Sequence, residues 1–217
     1  MAIGKKVKLY CFCPALQLKY EKNRKETIMS DNKRRIIIGI TGASGVIMGC
    51  RLLEVMKEFP HVETHLVMTN SALITLRSET DIPIDRLLSL ADFTYDIDDF
   101  TAAIASGSFI TDGMIVLPCS MKTLAGIANG FSDNLLLRAA DVCLKEGRTL
   151  VLSPREAPLS LIHLKNLLVC KEAGAAIIPP MLTFYQEADT AEDQIIAHLG
   201  TVLRQFGLKP KGYKPWK

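Results

Sequence analysis

The chain has 217 residues, of which 48% are hydrophobic and 23% are charged. These proportions are typical of a globular protein with a full hydrophobic core, and they exclude a chain that is disordered throughout. The 26 basic and 23 acidic residues leave a formal net charge of only +3, and no folded segment concentrates the basic ones, which argues against nucleic acid as a partner.

The two ends of the chain differ in character from the middle. Lysines followed by an apolar patch, within residues 5–18, resemble a weak signal peptide, but no cleavage site of small residues follows. Met29 opens a segment typical of a natural start just before the first predicted strand. We therefore expect residues 1–33 to form a poorly ordered extension, residues 34–207 the domain, and residues 208–217 a tail.

Cysteines, histidines and apolar runs indicate neither a metal site nor a membrane anchor. None of the six cysteines forms a CxxC pair, and the four histidines show no metal-ligand spacing. No apolar run is long enough to span a membrane. We expect reduced thiols in a cytoplasmic protein that binds no metal, no nucleic acid and no membrane.

Strands and helices are predicted to alternate through the domain. Arg35–Thr41 is a β-branched apolar run without alternation, which is typical of a strand buried on both faces. A helix over residues 46–59, a strand over 63–69 and a helix over 71–77 follow, before an irregular, aspartate-rich region over 78–101. The remaining predicted strands cover residues 113–118, 149–153 and 175–178. The remaining predicted helices cover residues 120–128, 134–145, 159–173 and 191–206.

This alternation predicts an α/β fold, a single doubly wound, Rossmann- or flavodoxin-like parallel sheet with helices on both faces. Ligands of such sheets bind beyond the carboxyl ends of the strands. The segments that follow the predicted strands are therefore the places to look for a site.

The first of these segments, Gly39–Gly45, is a glycine-rich turn into the first helix. Its glycines and helix-start N–H groups are suited to phosphate, although a tight turn without a ligand would have the same sequence. The spacing is not GxGxxG, and Thr69 and Asn70 end the second strand where a nicotinamide dinucleotide site usually has Asp or Glu. These residues favour a cofactor with one phosphate, such as FMN.

Two later strand ends also carry polar side chains. Pro118–Thr123 offers a lysine and hydroxyls, with a simple helix cap as the alternative interpretation. Cys119 has no histidine near it in sequence, so we do not expect it to be a nucleophile. Ser153–Pro158 presents Arg155, which suits phosphate, beside Glu156, which can move protons, and a surface ion pair is the alternative.

A predicted helix adds two more charges. Arg138 and Lys145 are seven residues apart and therefore share one helix face, which is otherwise a solvated face. Tyr185, just after Pro179–Met181, belongs either to the core or to the site.

Taken together, these segments resemble the UbiX-type flavin prenyltransferases over about residues 34–206. The PCSMKT and PREAPL sequences are the most specific parts of the match. The matching blocks are Gly39–Gly45, Glu63–Met68, Ser106–Phe109, Gly113–Ile127, Arg138–Val142, Leu144–Glu146, Arg155–Leu159, Pro179–Met181 and Phe184–Tyr185.

The resemblance implies an enzyme that joins a dimethylallyl group, taken from dimethylallyl phosphate, to N5 and C6 of reduced FMN without a metal. The implied product is prenylated FMN, the cofactor of a UbiD-type decarboxylase in ubiquinone synthesis or phenolic acid metabolism. The resemblance also implies a homo-oligomer, a dodecamer.

The resemblance assigns roles to individual side chains. It assigns FMN binding to Gly42, Ala43, Ser44, Thr69, Ser120, Met121, Lys122, Thr123 and Arg155. It assigns binding of the donor to Tyr185, Arg138, Lys145 and the position of Thr201. It assigns catalysis to Glu156, Ser44, Lys145 and Arg138, with Glu156 moving a proton during ring closure and the cations stabilising the leaving phosphate.

Thr201 departs from the family, whose members usually have an arginine for the donor phosphate at this point of the last helix. Arg204 lies one turn further along and is a candidate substitute. Without a substitute, donor affinity or donor choice should differ. Trp216, in a tail unlike the family's, is matched to a tryptophan near the site.

Three other functions fit parts of the pattern. The main alternative is a non-catalytic FMN-binding subunit of a hydroxyarylic acid decarboxylase complex. Cysteine decarboxylases of similar fold depend on a differently placed histidine and lack the PREAPL block. A NAD-dependent dehydrogenase is disfavoured by Thr69 and Asn70.

Overall fold

The computed structural model describes residues 33–216, and parallel strands run through the middle of the domain they form. In chain order the elements are β1 (Arg34–Ile40), α1 (Val46–Met56), β2 (Val62–Met68), α2 (Asn70–Glu79), α3 (Ile84–Leu88), β3 (Phe93–Tyr95), β4 (Gly113–Cys119), α4 (Met121–Ala128), α5 (Leu135–Lys145), β5 (Thr149–Pro154), α6 (Leu161–Glu172), β6 (Ala176–Ile177) and α7 (Ala191–Leu203). Short 3-10 turns cover Ala103–Ala105 and Arg204–Phe206.

The strand order confirms the doubly wound prediction. Within residues 33–216, six strands pair in parallel in the order β3-β2-β1-β4-β5-β6. The chain moves outward in one direction from β1 to β3, then returns to start the other half at β4. A crevice therefore opens between the carboxyl ends of β1 and β4, where ligands of this fold class bind.

The edge strand β3 is not among the five strands predicted from the sequence. Residues 78–101 were expected to be irregular, but they contain α3 and the edge strand β3. β3 pairs with β2 through His65, Leu66 and Val67. With three residues and one side left open, this strand is too short to show an apolar period.

Both faces of the sheet are covered by helices. Ile36, Ile38 and Ile40 of β1 pack in a first core with α1 and α7, whereas Ile37 packs in a second core with α4 and α5. Because successive β1 residues pack in cores on opposite faces of the sheet, polar and apolar residues do not alternate along this strand. This explains the uninterrupted apolar run in the sequence.

One helix leaves apolar side chains in contact with solvent. Cys170 is the single buried residue of α6, while Leu161, Ile162 and Leu168 are 56–69% exposed. Exposed apolar side chains grouped on one helix differ from apolar residues scattered singly over a surface. They indicate a surface suited to contact with another protein.

The C-terminal segment packs on the domain. Leu208 and Tyr213 are buried, and the Tyr213 ring lies against Gly200 of α7. The predicted N-terminal extension lies outside the described residues up to position 32, as do Cys11 and Cys13. No helix within residues 33–216 is long and apolar enough to cross a membrane.

The four cysteines in the described part of the chain, Cys50, Cys119, Cys143 and Cys170, are free and buried.

A buried histidine should make the fold sensitive to acid. Within the first core, Nε2 of His198 lies 3.2 Å from Oγ of Ser153, and burial lowers the pKa of His198 from 6.5 to about 4. Between these values the unfolded chain binds a proton that the folded chain does not. The free energy of unfolding should therefore fall on acidification by about 1.4 kcal/mol per pH unit, or roughly 2 kcal/mol by pH 5.

Replacing His198 by glutamine should remove this part of the pH dependence. Urea unfolding of wild type and His198→Gln at about pH 7 and about pH 5 measures it, because His65 and the carboxylates titrate alike in both proteins. Parallel losses of stability in the two proteins would contradict the prediction.

Candidate active site

Four neighbouring strands bring the predicted segments to one edge of the sheet. The loop after β1, Thr69 after β2, Ser120 after β4 and Arg155 after β5 all follow the carboxyl ends of adjacent strands. The strand-end rule applied to the sequence therefore placed these segments correctly next to one another.

Thr41 fixes the two sides of the central crevice. Its buried hydroxyl donates to the carbonyl of Pro118 at 2.8 Å and accepts from the amide of Ser120 at 2.8 Å. Because both partners belong to the end of β4, the loops after β1 and β4 are held in register. The crevice is thus preorganised by buried hydrogen bonds.

Three helices start around a cleft of about 230 Å³ beside this crevice. Thr69 caps α2 by accepting from the amide of Ala72 at 3.2 Å, and Ser120 caps α4 by accepting from that of Thr123 at 3.3 Å. Asn134 caps α5. The lining residues are Thr69, Asn70, Ser71, Ile97, Asp98, Ser120, Lys122, Thr123, Asp133, Asn134 and Leu137.

Helix N-termini and one ammonium group make this cleft suited to a phosphate. The first turns of α2 and α4 present free amides, and Lys122 adds a positive charge. Asp98 and Asp133 lie at the same cleft and offer acceptors for hydroxyl groups. A ligand with one phosphate and a polyol chain matches this set of groups.

The loop after β1 touches the start of α2 so closely that only glycine fits at position 42. A Cβ atom on Gly42 would lie 2.4 Å from Cβ of Ser71 and 2.9 Å from its carbonyl carbon. Thr75 adds a hydrogen bond from its hydroxyl to the Gly42 carbonyl at 3.2 Å. The wall of the cleft therefore depends on the missing side chain.

The side chain of Glu79, at the end of α2, reaches the start of α1, and the sequence analysis did not identify this residue. Its Oε2 accepts from the amide of Gly45 at 2.8 Å. Partial burial raises the pKa of Glu79, but hydrogen bonds from the Ser44 hydroxyl and the amides of Gly45 and Val46, together with the charge of Arg155, outweigh it, and the pKa lies below its usual value.

This internal carboxylate changes the interpretation of the glycine-rich loop. The sequence predicted a phosphate at the amides of Gly39–Gly45, but the amide of Gly45 already binds an anion, the ionised Glu79. Ser44, after β1, and Arg155 and Glu156, after β5, are called the rim below. The Ser44 hydroxyl donates to Glu79, and the charge of Arg155 also favours the ionised form of that carboxylate.

Arg155 and Glu156 both point away from the core after β5. The amide of Arg155 donates to the carbonyl of Cys119 at 3.2 Å, which joins this loop to the end of β4. Glu156 is exposed, and its Oε1 accepts from the amide of Ala157 at 3.0 Å. The pair is positioned at the rim, with the carboxylate accessible to a ligand.

Cys119 is no nucleophile in this arrangement. Its side chain is fully buried, and burial raises the pKa of the thiol far above its ordinary value. A thiol that stays protonated is inert, as the sequence suggested.

The predicted donor-phosphate residues do not meet within one chain. Arg138 and Lys145 lie on α5, against the second core, and near residues 105–107: Nε of Arg138 donates to the carbonyl of Ala105 at 3.1 Å. Thr201 lies on α7, which packs in the first core on the opposite face of the sheet. The sheet therefore lies between Arg138 and Lys145 on one side and Thr201 on the other.

Tyr185 lines a separate cleft of about 400 Å³ with the C-terminal segment. Its ring meets the Trp216 ring edge-on, with centroids 5.1 Å apart. Thr201, one of the predicted donor ligands, uses its hydroxyl within α7, donating to the carbonyl of Ala197 at 3.3 Å.

No group of three or more His, Cys, Asp or Glu side chains in residues 33–216 is arranged to hold a metal ion.

Sequence and structure comparisons agree on one set of relatives. A family model described as Flavoprotein matches residues 24–202. A protein of Sedimentibacter hydroxybenzoicus named probable UbiX-like flavin prenyltransferase is 52% identical over 183 residues, which cover 84% of this chain and 97% of that protein.

Two solved structures share the fold at high identity. A structure described as a dodecameric FMN-dependent UbiX-like decarboxylase from Escherichia coli O157:H7 has a TM-score of 0.82 and 50% identity, covering 84% of this chain and 99% of that one. AnUbiX (PadA1) in complex with FMN and dimethylallyl pyrophosphate has a TM-score of 0.83 and 47% identity, covering 85% and 98%.

Proposed function

Because this chain belongs to the flavoprotein family that contains the UbiX-like flavin prenyltransferases, we propose that it joins a dimethylallyl group to N5 and C6 of reduced FMN. The donor is dimethylallyl phosphate, and the product, prenylated FMN, serves a UbiD-type decarboxylase. The observation that carries the proposal is the cleft between α2 and α4, which offers amides, a lysine and carboxylate acceptors for hydroxyl groups.

The residues of the cleft fit FMN as the acceptor substrate. The phosphate binds the helix starts after Thr69 and Ser120 with Lys122, and the polyol chain meets the neighbouring polar side chains. The ring system then extends toward the rim, where Ser44 and Arg155 lie. Reduced FMN supplies the nucleophilic N5 and C6 positions when bound.

Side chains of the rim perform the remaining tasks. Breaking the bond between the allylic carbon and oxygen releases an anionic phosphate, which nearby guanidinium and ammonium groups stabilise without a metal. Bond formation at N5 releases a proton, which the exposed carboxylate of Glu156 accepts and returns to the alkene carbon of the prenyl group. Closing the ring at C6 then releases a second proton, which the same carboxylate accepts. The ionised Glu79 keeps the Ser44 hydroxyl fixed beside this position.

A second copy of the chain completes the donor site. Arg138 and Lys145 lie across the sheet from Thr201, so one chain cannot bring all the donor residues together. The apolar face of α6 offers an interface, and the related structure from Escherichia coli O157:H7 is described as dodecameric. We therefore place the donor phosphate between subunits of a homo-oligomer, a dodecamer.

Restoring the family arginine should strengthen donor binding. Thr201→Arg should lower the KM for dimethylallyl phosphate by about tenfold, because a charge-assisted hydrogen bond to phosphate replaces a hydroxyl that is used within α7. Steady-state kinetics with saturating reduced FMN measures it. Gln205→Arg, which adds the same charge one turn later, is the matched control, and equal KM values for both variants would contradict the prediction.

Release of phosphate in a defined mixture tests the function against its main alternative. The mixture contains purified protein, reduced FMN and dimethylallyl monophosphate or pyrophosphate, without air and without any decarboxylase. A prenyltransferase releases one phosphate or pyrophosphate for each FMN consumed. A non-catalytic FMN-binding subunit would release none, and this result would reject the proposal.

The partner is tested with the product of that mixture. After removal of the protein, the extracted flavin should activate a UbiD-type decarboxylase that was produced without its cofactor. Failure of the extract to do so, with prenylated flavin present, would reject this partner.

A further inference from the structure

The C-terminal strap, residues 208–216, is fixed to the domain at three points. Leu208 is buried in the first core, and the amide of Lys211 donates to Oε2 of Glu58 at 2.9 Å. The ring of Tyr213 covers Gly200, where a Cβ atom would lie 1.9 Å from Cδ2 of the ring. The strap therefore has one defined position on α7, and that position depends on glycine.

This position delivers a lysine and a tryptophan to Tyr185. The edge of the Trp216 ring meets the Tyr185 ring, and Lys214 enters the same cleft of about 400 Å³. The remaining lining residues are Glu187 and Pro215. A flat aromatic wall beside an ammonium group suits a ligand with an apolar part and an anionic part.

The ammonium group of Lys214 is available to such a ligand. Its Nζ lies 3.1 Å from Oε2 of Glu187, and the two side chains are 64% and 82% exposed. Exposed ion pairs contribute little stability, so an anionic ligand can take the place of the carboxylate.

The neighbouring helix α7 has no positive charge at Thr201, the position of the family arginine. Thr201, one residue after the glycine under Tyr213, is neutral and uses its hydroxyl within α7. Arg204 follows only in the next 3-10 turn and is exposed. At this end of the donor site the strap is thus the element that brings a cation beside Tyr185.

We propose that Lys214 binds the phosphate of the prenyl donor and supplies the positive charge that Thr201 lacks. The inference rests on the proposed prenyl transfer and adds a donor ligand to it. Lys214 is then a specificity-determining residue, carried to the site by the contact between Tyr213 and Gly200.

Binding of the donor without turnover tests this role. The protein is loaded with oxidised FMN, which is not the acceptor, and dimethylallyl monophosphate is titrated by calorimetry. Lys214→Gln should raise the Kd by about tenfold, equivalent to about 1.4 kcal/mol, whereas Lys214→Arg should stay within about twofold of wild type. Lys209→Gln, from the same strap but outside the cleft, is the matched control.

A second variant moves the strap without touching the lysine. Gly200→Ala places a methyl group inside the Tyr213 ring and should raise the Kd as much as Lys214→Gln does. The Kd for FMN should stay unchanged in every variant.

Equal Kd values for Lys214→Gln and Lys209→Gln would overturn the inference, as would wild-type donor affinity in Gly200→Ala. Failure of the wild type to prenylate reduced FMN is a different result, because it rejects the proposed function and leaves the donor titration as an independent test.

Discussion

Replacing Glu156 by glutamine should lower kcat for prenyl transfer by about a hundredfold to ten-thousandfold. The carboxylate is exposed in the loop after β5, and it accepts a hydrogen bond from the amide of Ala157 in the same loop. Glutamine keeps the shape and that hydrogen bond but cannot accept the proton released at C6. Loss of rate without loss of binding is therefore the expected pattern.

Two measurements separate this effect from damage to the site. Stopped-flow kinetics gives kcat, and fluorescence quenching gives the Kd for FMN, which should stay unchanged. Glu172→Gln, an exposed glutamate at the end of α6, is the control and should keep full activity. A kcat within a few-fold of wild type for Glu156→Gln would mean that another group takes the proton.

Replacing Gly42 by alanine should weaken FMN binding, with a rise in Kd of about a hundredfold or more, equivalent to about 2.7 kcal/mol. The added methyl group would lie 2.4 Å from Cβ of Ser71 and 2.9 Å from its backbone carbon. Because backbone must move to relieve this contact, the β1–α1 loop separates from the start of α2. The amides that line the cleft then lose their arrangement.

Gly147→Ala provides the matched control for Gly42→Ala. Gly147 also has a demanding backbone, with φ of +65°, but open space surrounds it in the turn between α5 and β5. Its replacement should cost about 1 kcal/mol of stability and leave the Kd for FMN unchanged. Similar FMN affinities in the two alanine variants would contradict the role of the contact between Gly42 and Ser71.

The central strands were predictable because burial on both faces removes polar residues from them. β1, β2, β4 and β5 lie within one or two residues of their predicted bounds, and the segments after them meet at one edge. β3 was missed because a three-residue edge strand carries no period. Its place depends on pairing with β2, which is not a local property.

Glu79 shows where prediction of the site ends. It lies 34 residues after Gly45, at the far end of α2, and no spacing rule connects it to the glycine-rich loop. Only the fold shows that an internal carboxylate satisfies the amide to which a phosphate was assigned. The separation of Arg138 from Thr201 is likewise visible only in the fold. The two residues lie on helices that cover opposite faces of the sheet, and the face that a helix covers depends on how the chain crosses over the sheet.

The strap adds a tertiary contact that no pattern reveals. Gly200 is an ordinary glycine within an apolar helix until Tyr213 is seen to cover it. The tail that was predicted as a separate segment therefore lines one cleft with Tyr185, through Lys214, Pro215 and Trp216.

The mass of the flavin extracted after anaerobic incubation tests the central claim most directly. Wild-type protein, reduced FMN and dimethylallyl monophosphate are combined without a decarboxylase, beside a parallel sample of Glu156→Gln. Prenyl transfer predicts that the wild-type flavin gains one C5 unit and that the variant lags behind it. Unmodified FMN from the wild type at saturating donor, monophosphate or pyrophosphate, would contradict the claim that this chain is itself the transferase.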